Sequence, residues 1–195
     1  MAPRRAIGLF GGSFNPVHSG HVLLARHARK ALGLDEVWLI PCARSADRKA
    51  LAPGALRLRW LRLALRGEEG LKASDIELKR GGVSRTVDTL RQLRCELGEG
   101  VAFTVLLGQD QALRLPRWKD AVLLTGLCRL AVFRRSGVGP DLGPGFRPLN
   151  APLFDISSSD IRARIRARRS VGLLLPPALV RDRGLMAHFG RPTKS

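Results

Sequence analysis

The chain contains no tyrosine, and only three Trp and seven Phe among 195 residues. Stacking platforms for single-stranded nucleic acid are therefore sparse. Cysteine is scarce too. Cys42, Cys95 and Cys128 are odd in number, widely spaced and form no Cys-x-x-Cys pair. This excludes a disulfide framework and a cysteine zinc site, and points to a reducing cytoplasm. No apolar run approaches the roughly 18 residues that span a bilayer, so no membrane partner is expected. The basic start, Met1 to Arg5, leads into an apolar stretch that stops at Gly11-Gly12 without a small-residue cleavage site, so a signal peptide is not expected. Acidic residues are few: 16 Asp+Glu stand against 34 Lys+Arg, of which six are Lys, for a net charge of +18. The arginines are scattered from Arg4 to Arg191 rather than gathered in one tail. They favour an anionic partner such as nucleotide phosphate, while a specific nucleic-acid partner is not expected.

What is present is a core-forming chain, 45% hydrophobic. Short continuous apolar runs at 6–10, 37–41, 102–107 and 129–133 read as buried strands. A polar–apolar alternation over 72–78 reads as a half-exposed strand, and 153–156 as a last short one. Helical spacing runs over 20–32, 53–66, 86–97 and 158–168, with shorter helical pieces at 109–115 and 118–124. In the helix at 53–66, Leu56, Trp60, Leu63 and Ala64 mark the apolar face and the arginines the opposite one. Gly33 is a plausible stop for the first helix. Residues 136–150, rich in Gly and Pro, read as a long surface loop, and Pro176-Pro177 begins a final turn or helix. Strands alternating with helices imply an α/β fold: a Rossmann-like, doubly wound, mostly parallel sheet with helices on both faces. Residues 1–190 form a single domain on this reading and 191–195 a loose tail. Ligands of such a sheet sit at the carboxyl ends of its strands.

The most informative of those ends is Gly11-Gly12-Ser13-Phe14-Asn15-Pro16-Val17-His18-Ser19-Gly20-His21. A strand, a glycine turn and a helix start follow one another, which is how a mononucleotide-binding sheet presents a phosphate site. His18 and His21 are three apart and share a helix face. Half of the four histidines fall in this turn. The segment resembles the signature of the nucleotidyltransferase superfamily with the His-x-Gly-His motif, and in particular the nicotinate-nucleotide adenylyltransferases. Ile156-Ser157-Ser158-Ser159-Asp160-Ile161-Arg162 is a serine-capped helix start. It resembles the superfamily's second phosphate-binding motif.

The resemblance implies ATP contacts at Gly11, Gly12, Ser13, Phe14, His18, His21, Gly108, Asp110, Ile156, Ser157, Ser158 and Arg162, with His18, His21 and Arg162 catalytic. Leu107-Gly108-Gln109-Asp110 followed by Trp118 resembles the family's acceptor pocket. Ser84-Arg85-Thr86-Val87-Asp88-Thr89-Leu90 resembles the segment whose threonine touches the mononucleotide, with Arg85 in place of the usual Tyr. Thr86, Trp118, Lys49 and Arg134 are therefore assigned to the mononucleotide. The loop 45–49 reads Ser-Ala-Asp-Arg-Lys where the family often carries Pro-Pro-His-Lys. The implied reaction is adenylyl transfer from ATP to nicotinate mononucleotide in NAD biosynthesis. Alternatives are another small-molecule nucleotidyltransferase, such as one acting on pantetheine phosphate, or a non-catalytic nucleotide- or RNA-binding relative. Mg²⁺ is expected to travel with ATP, since no all-protein carboxylate cage is visible. Oligomeric state stays open.

Overall fold

In the computed structural model the described residues are 5–44, 50–134, 145–150 and 156–190. Six strands form one all-parallel sheet: β1 (Arg5–Gly12), β2 (Glu36–Pro41), β3 (Leu71–Ala73), β4 (Val101–Gly108), β5 (Arg129–Arg134) and β6 (Phe146–Asn150). Their order is β3-β2-β1-β4-β5-β6. The chain therefore winds outward from β1 to β3, then returns to lay β4 on the opposite side of β1. That reversal opens a crevice beyond the carboxyl ends of β1 and β4.

The alternation of side chains sorts the core into two layers. Ile7 and Leu9 of β1, Phe103, Val105 and Leu107 of β4, and Leu130 and Val132 of β5 join one cluster. Helices α4 (Thr86–Leu97) and α6 (Ala121–Leu127) cover it with Val87, Leu90, Leu93 and Leu124. Phe10, Leu106, Ala131 and Phe133 point the other way, into a cluster with α1 (Ser19–Leu32), α2 (Gly54–Ala64) and three C-terminal helices. Those are α7 (Ser158–Arg166), α8 (Pro177–Val180) and α9 (Arg183–Gly190). Each fully buried aliphatic contributes roughly 1.5–3 kcal/mol. Gly8 is required within β1, because a Cβ there would stand 2.8 Å from Leu34 Cδ1. Gly33 ends α1 in the left-handed region at φ 63°. Among the described residues, no helix is long and apolar enough to cross a membrane.

Three elements depart from the sequence expectation. The alternation over 72–78 is strand only as far as Ala73, after which α3 (Ile76–Arg80) begins. β3 is an edge strand whose ladder on β2 reaches only Leu39. Lys79 then pairs with Asp75 one turn back at 3.2 Å, and Ile76 and Glu77 are buried. The expected loop 136–150 ends in a strand, Phe146–Asn150, parallel to β5. Pro148 is admissible there because β6 is an edge strand. The helical piece at 118–124 is displaced: a 3-10 turn covers Leu115–Arg117 after α5 (Gln109–Arg114), and α6 starts at Ala121 behind Asp120 at φ 52°. The expected strand at 153–156 falls largely outside the described residues, and Ile156 itself is not in a strand.

Candidate active site

The turn after β1 is shaped by its two glycines in different ways. Gly11 is exposed, and a Cβ built there would meet nothing within 4 Å. A Cβ on Gly12 would lie 3.1–3.3 Å from three carbons of the Phe14 ring. Phe14 adopts φ 45° and is 1% exposed. Its ring meets Phe10 edge-on at 5.9 Å and His21 at 4.9 Å. Only the backbone of Phe14 is therefore left to face a nucleotide, and the side chain serves as a pedestal for His21.

His18 is the N-cap of α1, and its ring stacks on that of His21 with centroids 3.7 Å apart. The His18 backbone N–H donates to His21 Nδ1 at 3.2 Å. An accepting Nδ1 carries no proton, so a neutral His21 holds its proton on Nε2. The sequence placed both histidines on one face of a helix start. His18 is 7% exposed, because the 14–18 segment dives into the core with Phe14 and Val17. Burial lowers the His18 pKa from 6.5 to about 4. His21 is held well below 6.5, first by burial and then by the charge of His18. Both rings are thus neutral donors and acceptors at neutral pH. They stand at a helix start whose first turn has no acidic residue and whose dipole favours anions.

Helix α7 is fastened to this turn. Ser157 caps it by accepting the Asp160 N–H at 3.0 Å. The Ser158 hydroxyl donates to the Pro16 carbonyl at 2.8 Å. Arg162 Nη1 donates to the Asn15 carbonyl at 2.8 Å and Nη2 to Ser159 Oγ at 3.1 Å. Ile161 and Ile165 are buried beneath. Arg162 stays half-buried, with its pKa lowered by desolvation and then by Arg166. Two bonds use two of its five donors. Residues more than 140 positions apart in the chain thus meet at one turn.

Gly11, Gly12 and Ser13 also border a cleft of about 1570 Å³. Thr86, Gly108 and half-buried Trp118 line it as well. The expected residues therefore fall into two groups. His18, His21, Ile156, Ser157, Ser158 and Arg162 gather around the turn, away from the cleft lining. Asp110 is exposed in the first turn of α5, and Arg134 is half-buried at the end of β5; neither lines the cleft. Lys49, Asp47 and the rest of 45–49 lie outside the described residues. Among the described residues, no group of three His, Cys, Asp or Glu is placed to hold a metal ion.

Two features of the cleft take their place only in the fold. Arg57 was assigned with the other arginines to the polar face of α2, yet it is 1% exposed and reaches the cleft. The signal was present: Arg57, Trp60, Leu61 and Ala64 follow the i, i+3, i+4, i+7 stripe and are all buried. Glu77 is the other. Its carboxylate accepts the buried Thr89 hydroxyl at 2.7 Å, and Arg80 donates to the same Thr89 oxygen at 2.9 Å. This joins α3 to α4 beside Thr86. Ser84 Oγ accepts the Ala43 N–H at 2.8 Å and ties together two segments that line the cleft.

The cytidylyltransferase-like family matches residues 9–164. A Dehalococcoides mccartyi protein named "Probable nicotinate-nucleotide adenylyltransferase" is 37% identical, covering 91% of this chain and 95% of its own length. A Streptococcus mutans protein of the same name is 40% identical, covering 89% and 83%. The solved structure of Plasmodium falciparum nicotinic acid mononucleotide adenylyltransferase complexed with NaAD shares the fold. Its TM-score is 0.78 at 19% identity, over 95% of this chain and 96% of that one. With a family match over most of its length and relatives this similar end to end, the chain belongs to the cytidylyltransferase-like family and, within it, to the nicotinate-nucleotide adenylyltransferases.

Proposed function

We propose that the chain transfers the adenylyl group of ATP to nicotinate mononucleotide. The products are nicotinate adenine dinucleotide and pyrophosphate, and the step belongs to NAD biosynthesis. One observation carries this reading: the glycine turn with its stacked histidines is bonded to the α7 start and also borders a large cleft. One face suits a triphosphate, the other an acceptor nucleotide.

No covalent nucleophile is needed, since the acceptor phosphate attacks the α-phosphorus directly and pyrophosphate departs. The protein's work is positioning and charge neutralisation. ATP would lie along Gly11, Gly12, Ser13 and the Phe14 backbone, with Gly108 and Asp110 nearby. Its phosphates would meet His18, His21, Ser157, Ser158 and Arg162, beside Ile156. The proton on His21 Nε2 would donate to a phosphoryl oxygen, and Arg162 would oppose the charge that accumulates on the leaving group. Thr86 and Trp118 would hold the mononucleotide, with Lys49 and Arg134 as further cations. The lining of the cleft is cationic: Arg44, Arg57, Arg85, Arg114, Arg117 and Lys119 against Glu77 among the described residues. That balance favours an acceptor with both a phosphate and a ring carboxylate.

The donor set fits Mg²⁺ carried by the phosphate oxygens and water, with an isolated Asp110 rather than a carboxylate cage. Bound in that way, the ion would neutralise charge on the triphosphate. Three unpaired thiols suit a reducing cytoplasm, and residues 1–190 would act as one catalytic domain. The test is pyrophosphate release from ATP with nicotinate mononucleotide, nicotinamide mononucleotide and pantetheine phosphate offered in parallel. The first should give the fastest turnover, and His21→Ala should slow it by roughly 10²-fold or more. Release with pantetheine phosphate alone, or with none of the three, would overturn the assignment.

A further inference from the structure

We propose that Arg57 is a positioning residue for the acceptor side of the cleft, a role that rests on the adenylyl-transfer reading above. Its guanidinium spans three segments of chain. Nη1 donates to the Ser13 carbonyl at 2.9 Å, Nη2 to the Cys42 carbonyl at 2.8 Å and Nε to the Ala52 carbonyl at 2.8 Å. The Ala52 N–H in turn donates to Asn15 Oδ1 at 3.1 Å. The turn after β1 and the chain at Cys42 and at Ala52 are thereby locked to one rigid fork. Ser13, Cys42, Ala52 and Arg57 all border the cleft.

The charge of this fork has no carboxylate partner among the described residues. Glu77, the carboxylate lining the same cleft, is taken by Thr89 at 2.7 Å and lies 3.9 Å from Arg80. Taking an unpaired guanidinium out of water is costly, and burial accordingly lowers the Arg57 pKa. Three neutral carbonyl dipoles offset part of that cost and none of the charge. A purely structural strap could be made from neutral amides. A charged one, bordering the cleft, also raises the affinity of the cleft for a phosphate. Arg57 acts through the carbonyls it holds: it fixes the distances from the glycine turn to the chain at Cys42 and at Ala52, and so the place of the acceptor phosphate beside the triphosphate.

Arg57→Lys keeps the charge and loses the fork; Arg57→Gln loses both. Each variant is measured by steady-state kinetics with either substrate varied, by titration with nicotinate mononucleotide alone, and by thermal unfolding. The KM and Kd for the mononucleotide should rise about tenfold in Arg57→Lys and further in Arg57→Gln, while the KM for ATP rises much less, because Ser158 and Arg162 of α7 also hold the glycine turn. Equal changes for the two substrates, or a lower melting temperature with unchanged KM values, would make Arg57 a fold staple and overturn the proposal. Failure of both variants to fold would do the same. Wild-type protein that neither binds nor turns over the mononucleotide would remove the functional reading itself. Active wild type with unaffected variants would remove only the role of Arg57.

Discussion

Replacing His18 by glutamine should delete a defined, pH-dependent part of the protein's stability. Burial holds the His18 pKa at about 4, against 6.5 for the free side chain. As pH falls through about 6.5, the unfolded chain takes up a proton that the folded protein refuses until about pH 4. Stability is therefore undiminished by this group above the unfolded value and is lost as pH falls toward the folded one. The gap of 6.5 − 4, at about 1.4 kcal/mol per unit, amounts to about 3 kcal/mol once the window is crossed. At pH 5, where the unfolded imidazole is almost fully charged and the folded one almost neutral, the loss is about 2 kcal/mol. His21 acts with the same sign, because its pKa is also lowered. Glutamine offers an amide in place of the ring and has no proton to gain. Urea unfolding of wild type and His18→Gln, at about pH 7.5 and about pH 5, isolates the effect, since the carboxylates titrate alike in both and cancel. The difference in unfolding free energy should move by about 2 kcal/mol in favour of the variant at the lower pH. A difference that stays constant within about 0.5 kcal/mol would refute a neutral, buried His18.

Trp118→Ala should raise the KM for the mononucleotide by about tenfold and leave that for ATP nearly unchanged, because the ring lines the cleft while His18 and His21 do not. Equal effects on both substrates would return Trp118 to the core cluster it also touches. Gly12→Ala should cost about 1–3 kcal/mol, because its Cβ would press on the buried Phe14 ring at 3.1 Å. Gly11→Ala, with nothing within 4 Å of its Cβ, should leave thermal unfolding almost unmoved. Equal melting temperatures for the two variants would contradict the role given to Phe14.

The parallel sheet was legible because four of its strands are buried on both faces and spell continuous apolar runs. The edge strands were not. β6 carries Arg147 and Pro148 and buries only Leu149 fully, so nothing in its composition separates it from a loop. At 72–78 the polar–apolar alternation fitted a strand, but pairing stops at Ala73 opposite Leu39, before β2 itself ends at Pro41, and the rest coils into α3. The candidate site divides in the same manner. The two phosphate-type motifs were visible as local patterns of Gly, His and Ser. Their meeting, through Ser158 on Pro16 and Arg162 on Asn15, depends on tertiary packing that no local pattern encodes. Arg57 was missed because charge was taken to mean surface, although its register on α2 matches Trp60 and Ala64.

The stacked histidines also decide where the site's standing charge resides. With centroids 3.7 Å apart, two imidazolium rings would repel by about 4 kcal/mol even at an effective dielectric constant of about 20. Protonating His21 on Nδ1 would in addition cost the bond it accepts from the His18 N–H. Neither ring can therefore serve as the permanent cation that draws a triphosphate in. That task falls to Arg162, which stays half-buried at the start of α7, and to the N-terminal dipole of α1. Once a phosphate is bound, its negative charge opposes the desolvation that keeps the rings neutral, and the Nε2 proton of His21 is already directed by the capping bond. Arginine attracts and imidazole donates. A turn that needed two charged histidines before substrate arrived would have had to hold them farther apart.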